Sequence, residues 1–304
     1  MKRPWRYIPL VAARRAVILD TDIGPDCDDA GAIALLMEAR ARMGLHVAGI
    51  VNCTANAWAN GAIRALTQHW GVELPVAQTE AKGLLEDAVK FDRPLAEKYV
   101  SDPEARRAAL PAVDFYREAL TNAEDDGAVI VSIGQLSTVA AILEAEPELV
   151  RRKVHALVAM AGAFPEGREF NVFMDVPAAQ RVFAELPCPI ICSGFEVGVD
   201  VLTGFAAPPA NAARNPVYDA YRLYLDGEPL RPSWDLTAVH FALEGEGAFY
   251  ALSEPARVDV DGEGNDRVSP WDGAGAPRYY LKRRTDAGAL ARELQKRLDA
   301  ANAL

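Results

Sequence analysis

The apolar run Ala16-Val17-Ile18-Leu19 leads directly into Asp20-Thr21-Asp22-Ile23-Gly24-Pro25-Asp26-Cys27-Asp28-Asp29, which places five carboxylates within ten residues. An unbroken apolar run, as opposed to an alternating one, is the pattern of a strand covered on both faces, and such strands belong to parallel sheets flanked by helices. From Asp28 the apolar positions Ala32, Leu35, Leu36 and Ala39 recur at helical spacing, and Asp28 and Asp29 stand where the positive end of a helix favours acids. The opening therefore reads strand, acidic loop, helix. The alternation returns with Val47 to Val51 then Ala57 to Trp70, and with Ala128 to Ile133 then Leu136 to Leu143. Further strands are expected at Val154 to Met160, Pro189 to Cys192 and Ala256 to Val260. Helical patterns run from Asn211 through Leu225, from Trp234 onward, and from Ala287 to Leu298. Alternating strands and helices imply right-handed crossovers, so the fold class is α/β, a single domain with a mostly parallel central sheet flanked by helices. Ligands of such a sheet bind at the carboxyl ends of its strands, where the acidic loop falls.

With 304 residues, half of them apolar, the chain can bury one large core, and no internal repeat or low-complexity linker divides it. Residues 1–14 read as an irregular N-terminal extension, and Gly204 to Pro216 as a surface loop. A formal net charge of −11 excludes the basic face that polymeric nucleic acid requires. No apolar run approaches the roughly 18 residues of a membrane span, and the apolar stretch in MKRPWRYIPLVAARR is too short for a signal peptide. A cytoplasmic protein with no membrane partner is expected. Cys27, Cys53, Cys188 and Cys192 match no zinc-site spacing and read as buried free thiols.

Five acids so close together either raise one another's pKa values or hold a cation, and oxygen-only ligands point to a hard ion such as calcium or magnesium. An EF-hand is excluded: counted from Asp20, the fifth position is Gly24 and no glutamate follows at the twelfth. Two readings stay beside the metal site. One is a solvated acidic turn in which Asp26 and one of Asp28 or Asp29 cap the helix; the other is a phosphatase of the aspartyl-phosphate type.

The segment Asp20-Thr21-Asp22-x-Gly24-x-Asp26-x-Asp28-Asp29-Ala30 resembles the signature of the inosine-uridine preferring nucleoside hydrolases, in a variant with two extra residues before the double aspartate. Three later segments resemble the family in the same order: Ile133 to Thr138, Met160-Ala161-Gly162-Ala163 with Glu169-Phe170-Asn171, and Trp234-Asp235-Leu236-Thr237-Ala238. The resemblance implies a Rossmann-like nucleoside hydrolase fold and a calcium-dependent enzyme that cleaves the N-glycosidic bond of ribonucleosides to base and ribose. It implies Ca2+ ligands at Asp22, Asp29, the backbone carbonyl of Ile133 and Asp235, with Asp22 as the proton acceptor for a calcium-bound water. Substrate contacts would come from Asp28, Asn52, Met160, Glu169, Asn171 and Trp234. Relatives are often dimers or tetramers, so a homo-oligomer acting on a small-molecule nucleoside is implied.

The chain departs from the pattern in two places. Many members carry a histidine, taken as the acid for the departing base, where this sequence has Trp234. A tryptophan there resembles the purine-preferring members, which implies a purine preference. The segment Phe164 to Arg168 is short and lacks the asparagine that reaches the ribose 5′-hydroxyl in relatives; Arg168 can approach that end. These departures also fit a catalytically silent relative that keeps calcium and a ribose-like ligand for regulation. His46, His69 and His155 read as structural, whereas His240 can face either the pocket or the core.

Overall fold

The computed structural model describes residues 15–304; the expected extension over residues 1–14 lies outside the described residues. The first apolar run forms the strand Ala16–Thr21, buried along its whole length. It pairs in parallel with His46–Asn52 on one side and with Ala128–Ser132 on the other. Across the main sheet the order is Leu110–Pro111, Val76–Gln78, His46–Asn52, Ala16–Thr21, Ala128–Ser132, Val154–Met160, Ile190–Ser193, Arg278–Arg283, Ala256–Val260, Asn265–Pro270 and Glu166–Arg168. Neighbours as far as Arg278–Arg283 are parallel. The remaining three join antiparallel.

The chain thus begins in mid-sheet, builds outward in one direction, then crosses back and builds outward in the other. The direction reverses between Ala16–Thr21 and Ala128–Ser132, and a crevice opens at the carboxyl ends of strands at such a point. Asp20 locks this seam. Its carboxylate accepts hydrogen bonds from Tyr116 Oη at 3.0 Å, Ser132 Oγ at 3.2 Å and the Thr138 hydroxyl. Burial still pushes its pKa up to about 6. Of the five loop acids, Asp20 therefore belongs to the sheet and not to the crevice.

The helix Asp28–Met43 follows the acidic loop and is buried from Asp28 to Ala39. A helix apolar on all sides is an internal one. It lies against the helices Trp234–Glu244 and Ala287–Asn302, and it ends at Gly44, whose φ of 66° allows the left-handed turn in which its N–H reaches Arg40 O. The absence of a side chain at Gly31 sets how near Trp234–Glu244 can come: a Cβ there would lie 2.5 Å from Tyr221 Oη and 2.9 Å from Leu236 Cδ1. Gly31→Ala is expected to overpack this contact and destabilise the fold by about 1–3 kcal/mol, seen as a thermal midpoint lowered by several degrees. An unchanged midpoint would mean that the two helices are not held this closely.

Every strand and helix expected from the sequence is present, with ends shifted by a few residues; Val154–Met160 and Ala256–Val260 have the expected bounds. The antiparallel arm was not expected. In it Asn265–Pro270 returns to pair with Glu166–Arg168, and the Asp266 carboxylate accepts the Ala163 N–H at 3.1 Å. The four cysteines are buried and free. No helix among the described residues is long and apolar enough to cross a membrane.

Candidate active site

A cavity of about 440 Å³ opens where the sheet changes direction, lined among others by Asp22, Asp28, Asp29, Ile133, Met160, Glu169, Asn171, Trp234 and Asp235. Every site residue expected from the sequence except Asn52 lines it. Asp22 leaves the end of the first strand, Ile133 and Met160 end two others, and Asp28 and Asp29 open the helix after the loop. Asp235 lies in the first turn of Trp234–Glu244.

Carboxylate oxygens of Asp28, Asp29 and Asp235 all come within 4.8 Å of one another, and all three residues are buried. The tightest cluster therefore contains Asp28, which the sequence reading set against the ribose; Asp22 lines the same cavity outside that cluster. Asp28 Oδ2 accepts the Asp235 N–H at 3.1 Å, and Asp29 Oδ1 accepts the Thr21 hydroxyl. Burial, reinforced by mutual repulsion, holds the pKa values of Asp28, Asp29 and Asp235 well above the ordinary carboxylate range. Asp22 is pushed up to about 8, chiefly by burial and then by the charges of Asp26, Glu169 and Asp20. This donor set suits a hard divalent cation: it is all oxygen, it is removed from water, and its charges repel until something positive enters.

Asp26 is not itself the cap residue: Cys27 stands at that position and gives its N–H to Asp26 Oδ1 at 2.6 Å, and the same carboxylate forms an ion pair with Arg231, whose Nε lies 3.0 Å from both oxygens.

On the opposite wall Glu169 accepts backbone N–H bonds from Gly162, Asn171 and Val172, and so caps the short helix Phe170–Met174. Burial outweighs those donors and lifts its pKa to about 7. Asn171 Nδ2 donates to Met160 O at 2.9 Å, which fixes both residues of the floor. The rim is aromatic. Trp234 stacks on Phe195 with centroids 5.5 Å apart and donates its Nε1–H to Phe195 O, and Phe170, Phe173 and Tyr224 complete the wall. Arg168 also lines the cavity, its guanidinium 3.9 Å from the centre of the Phe173 ring.

A family model described as inosine-uridine preferring nucleoside hydrolase matches residues 17–285. The chain belongs to this family. The pyrimidine-specific ribonucleoside hydrolase RihA of Enterobacter sp. (strain 638) is 31% identical over 196 residues, 60% of each chain. The chain thus spans about three fifths of the length of that relative. The non-specific ribonucleoside hydrolase RihC of Salmonella schwarzengrund (strain CVM19633) is 32% identical over 229 residues, 68% of each chain. The fold matches the purine-preferring ribonucleoside hydrolase from Gardnerella vaginalis with a TM-score of 0.73, at 20% identity, over 95% of this chain and 100% of that one.

In this family member Asn52 and His240 stand off the cavity. Asn52 is wholly buried: its Nδ2 donates to Asn56 O and Asn60 Oδ1, and its Oδ1 accepts from the Thr54 N–H and hydroxyl. Its amide is taken up in bracing the loop after its strand, and it does not line the cavity. His240 faces the core, where Nδ1 lies 3.0 Å from Tyr250 Oη and burial lowers its pKa to about 4. Five residues of α-helix turn a side chain about 140° away from Asp235, which accounts for that choice. Sequence reasoning missed Arg231, Phe195 and Tyr224. Phe195 alone carried a signal, standing just past the carboxyl end of the strand Ile190–Ser193.

Proposed function

We propose that this nucleoside hydrolase cleaves the N-glycosidic bond of ribonucleosides, purine nucleosides foremost, to free base and ribose. The observation that carries this reading is the meeting of Asp22, Asp28, Asp29 and Asp235 with Glu169, Asn171 and Met160 on one buried floor beneath an aromatic rim. Asp22, Asp29, Asp235 and the Ile133 carbonyl would hold calcium. Bound there, the ion would acidify the attacking water and anchor the ribose diol. Asp22 would serve as proton acceptor for the attacking water. Asp28 keeps one oxygen on the Asp235 N–H and offers the other to a ribose hydroxyl. Glu169 and Asn171 orient the sugar from the far wall, and the floor carboxylates stabilise positive charge that grows on the ribose ring only in the transition state.

The assay is release of reducing sugar from inosine, adenosine, guanosine and uridine with calcium present. Hydrolysis of at least one nucleoside is expected. If all four stay intact while calorimetry still detects ribose or nucleoside binding, the protein is the catalytically silent relative. A magnesium requirement with a trapped phosphoaspartate would instead establish the phosphatase.

The purine preference draws on the Trp234 and Phe195 stack, because a two-ring base covers more of an aromatic face than a one-ring base. Trp234→Ala is expected to weaken KM by the roughly 1–3 kcal/mol of a stacked base, up to about a hundredfold, with a larger loss for inosine than for uridine. Equal losses for both would remove the basis for a purine preference.

A further inference from the structure

The floor of the cavity serves the ribose, and the departing base needs a partner of its own. As the C1′–N bond breaks, its electron pair passes to the base nitrogen, and negative charge develops there unless a proton or a cation meets it. The cationic residues lining the cavity are Arg168 and Arg231. Arg168 adjoins Glu169, gives its Nε–H to Glu263 O at 3.0 Å and lies over Phe173. Arg231 sits on the other wall, its guanidinium 5.3 Å from the centres of both the Tyr224 and Trp234 rings. Asp26 holds its Nε and Nη2, and its Nη1 makes no hydrogen bond among the described residues. Tyr224 carries a hydroxyl on that wall, but burial pushes it up to about 12, away from useful acidity.

We propose that Arg231 is the leaving-group residue of this enzyme, with its Nη1–H donating to the base as negative charge builds on it; the inference rests on the nucleosidase reading above. The guanidinium keeps its proton throughout and acts by fixed charge and a directed N–H. The C1′–N pair moves onto the base, the water oxygen forms the new bond to C1′, and the water proton passes to Asp22. The base anion, neutralised by Arg231, takes a proton from solvent as it leaves, and Asp22 returns its own to solvent. Asp26 is a positioning residue that fixes the plane of the guanidinium.

The test compares inosine with p-nitrophenyl β-D-ribofuranoside, whose nitrophenolate departs without assistance. For Arg231→Gln, kcat/KM on inosine is expected to fall about 10²–10³-fold, the loss typical of one preorganised donor. On the nitrophenyl riboside it should change by less than about threefold, since ribose activation is untouched. Arg231→Lys keeps the charge without the fork and should recover part of the inosine activity. The double variant Arg231→Gln/Asp26→Asn removes the unpaired acid and should show the same selectivity, which guards against misfolding of the single variant. Equal losses on both substrates would reduce Arg231 to a structural prop for Asp26 and overturn the proposal. So would full inosine activity in the variant, or a selective loss in Tyr224→Phe in place of Arg231→Gln. A wild-type enzyme active on the nitrophenyl riboside alone would overturn this inference while leaving the ribose site standing; inactivity on both would bring down the nucleosidase reading as well.

Discussion

Asp22→Asn should leave the chain folded and lower kcat on its best nucleoside by about 10³-fold or more, the upper part of the range for removal of a general base. The substitution preserves shape and removes one ionisable group from a floor that already holds Asp28, Asp29 and Asp235. Without a cation Asp22 is held protonated up to about pH 8 by burial and neighbouring acids, so its loss relieves a cost. The thermal midpoint of the metal-free variant is accordingly expected to equal or exceed that of the metal-free wild type, while activity collapses. Stability and function move in opposite directions only if Asp22 is there for the chemistry. An Asp22→Asn enzyme within tenfold of wild type would remove it from its role as base.

The same crowding makes the metal-free protein sensitive to pH. Burial raises the pKa of Asp22 to about 8 and of Glu169 to about 7, and lifts Asp28, Asp29 and Asp235 well above the ordinary carboxylate value of about 4. Between that value and neutrality the folded chain binds protons that the unfolded chain has released, so stability falls as pH rises. With chelator present the thermal midpoint should be higher at about pH 5.5 than at about pH 8.5. Calcium competes with those protons. At a hundredfold excess over its dissociation constant it should add about 2.7 kcal/mol near pH 8.5, and little near pH 5.5. Thermal unfolding at both pH values, with chelator and with calcium, decides the matter. A metal-free midpoint that climbs with pH, or no gain from calcium at the higher pH, would refute a cation on these acids.

The sheet was legible because its central strands are unbroken apolar runs, and period alone separates them from the amphipathic helices between. The acidic loop was legible as a loop, but not the fate of each acid. Asp20, Asp26 and Asp29 are chemically identical in sequence, yet one is tied to hydroxyls across the sheet, one to Arg231 and one to its fellow acids. Partners remote in the chain made that choice. Resemblance supplied Asp235, and the folded chain places it beside Asp29. The place of Asn52 was not legible, because a polar residue at a strand end serves equally to face a ligand or to brace a loop, as it does here. Apart from Trp234, the rim was hard to read for a different reason. Phe170, Phe173, Phe195 and Tyr224 come from three separate stretches of chain, and their convergence has no local pattern.

The adjacency of the helices Asp28–Met43 and Trp234–Glu244 sets a timetable for biosynthesis. Asp29 and Asp235 are more than 200 positions apart, so no short stretch of the nascent polypeptide contains a precursor of their cluster. The chain must be synthesised as far as Asp235 before the third acid of the trio exists. Ions in the cell can meet isolated aspartates throughout translation, but the assembled trio can be offered to them only once Asp235 has been made.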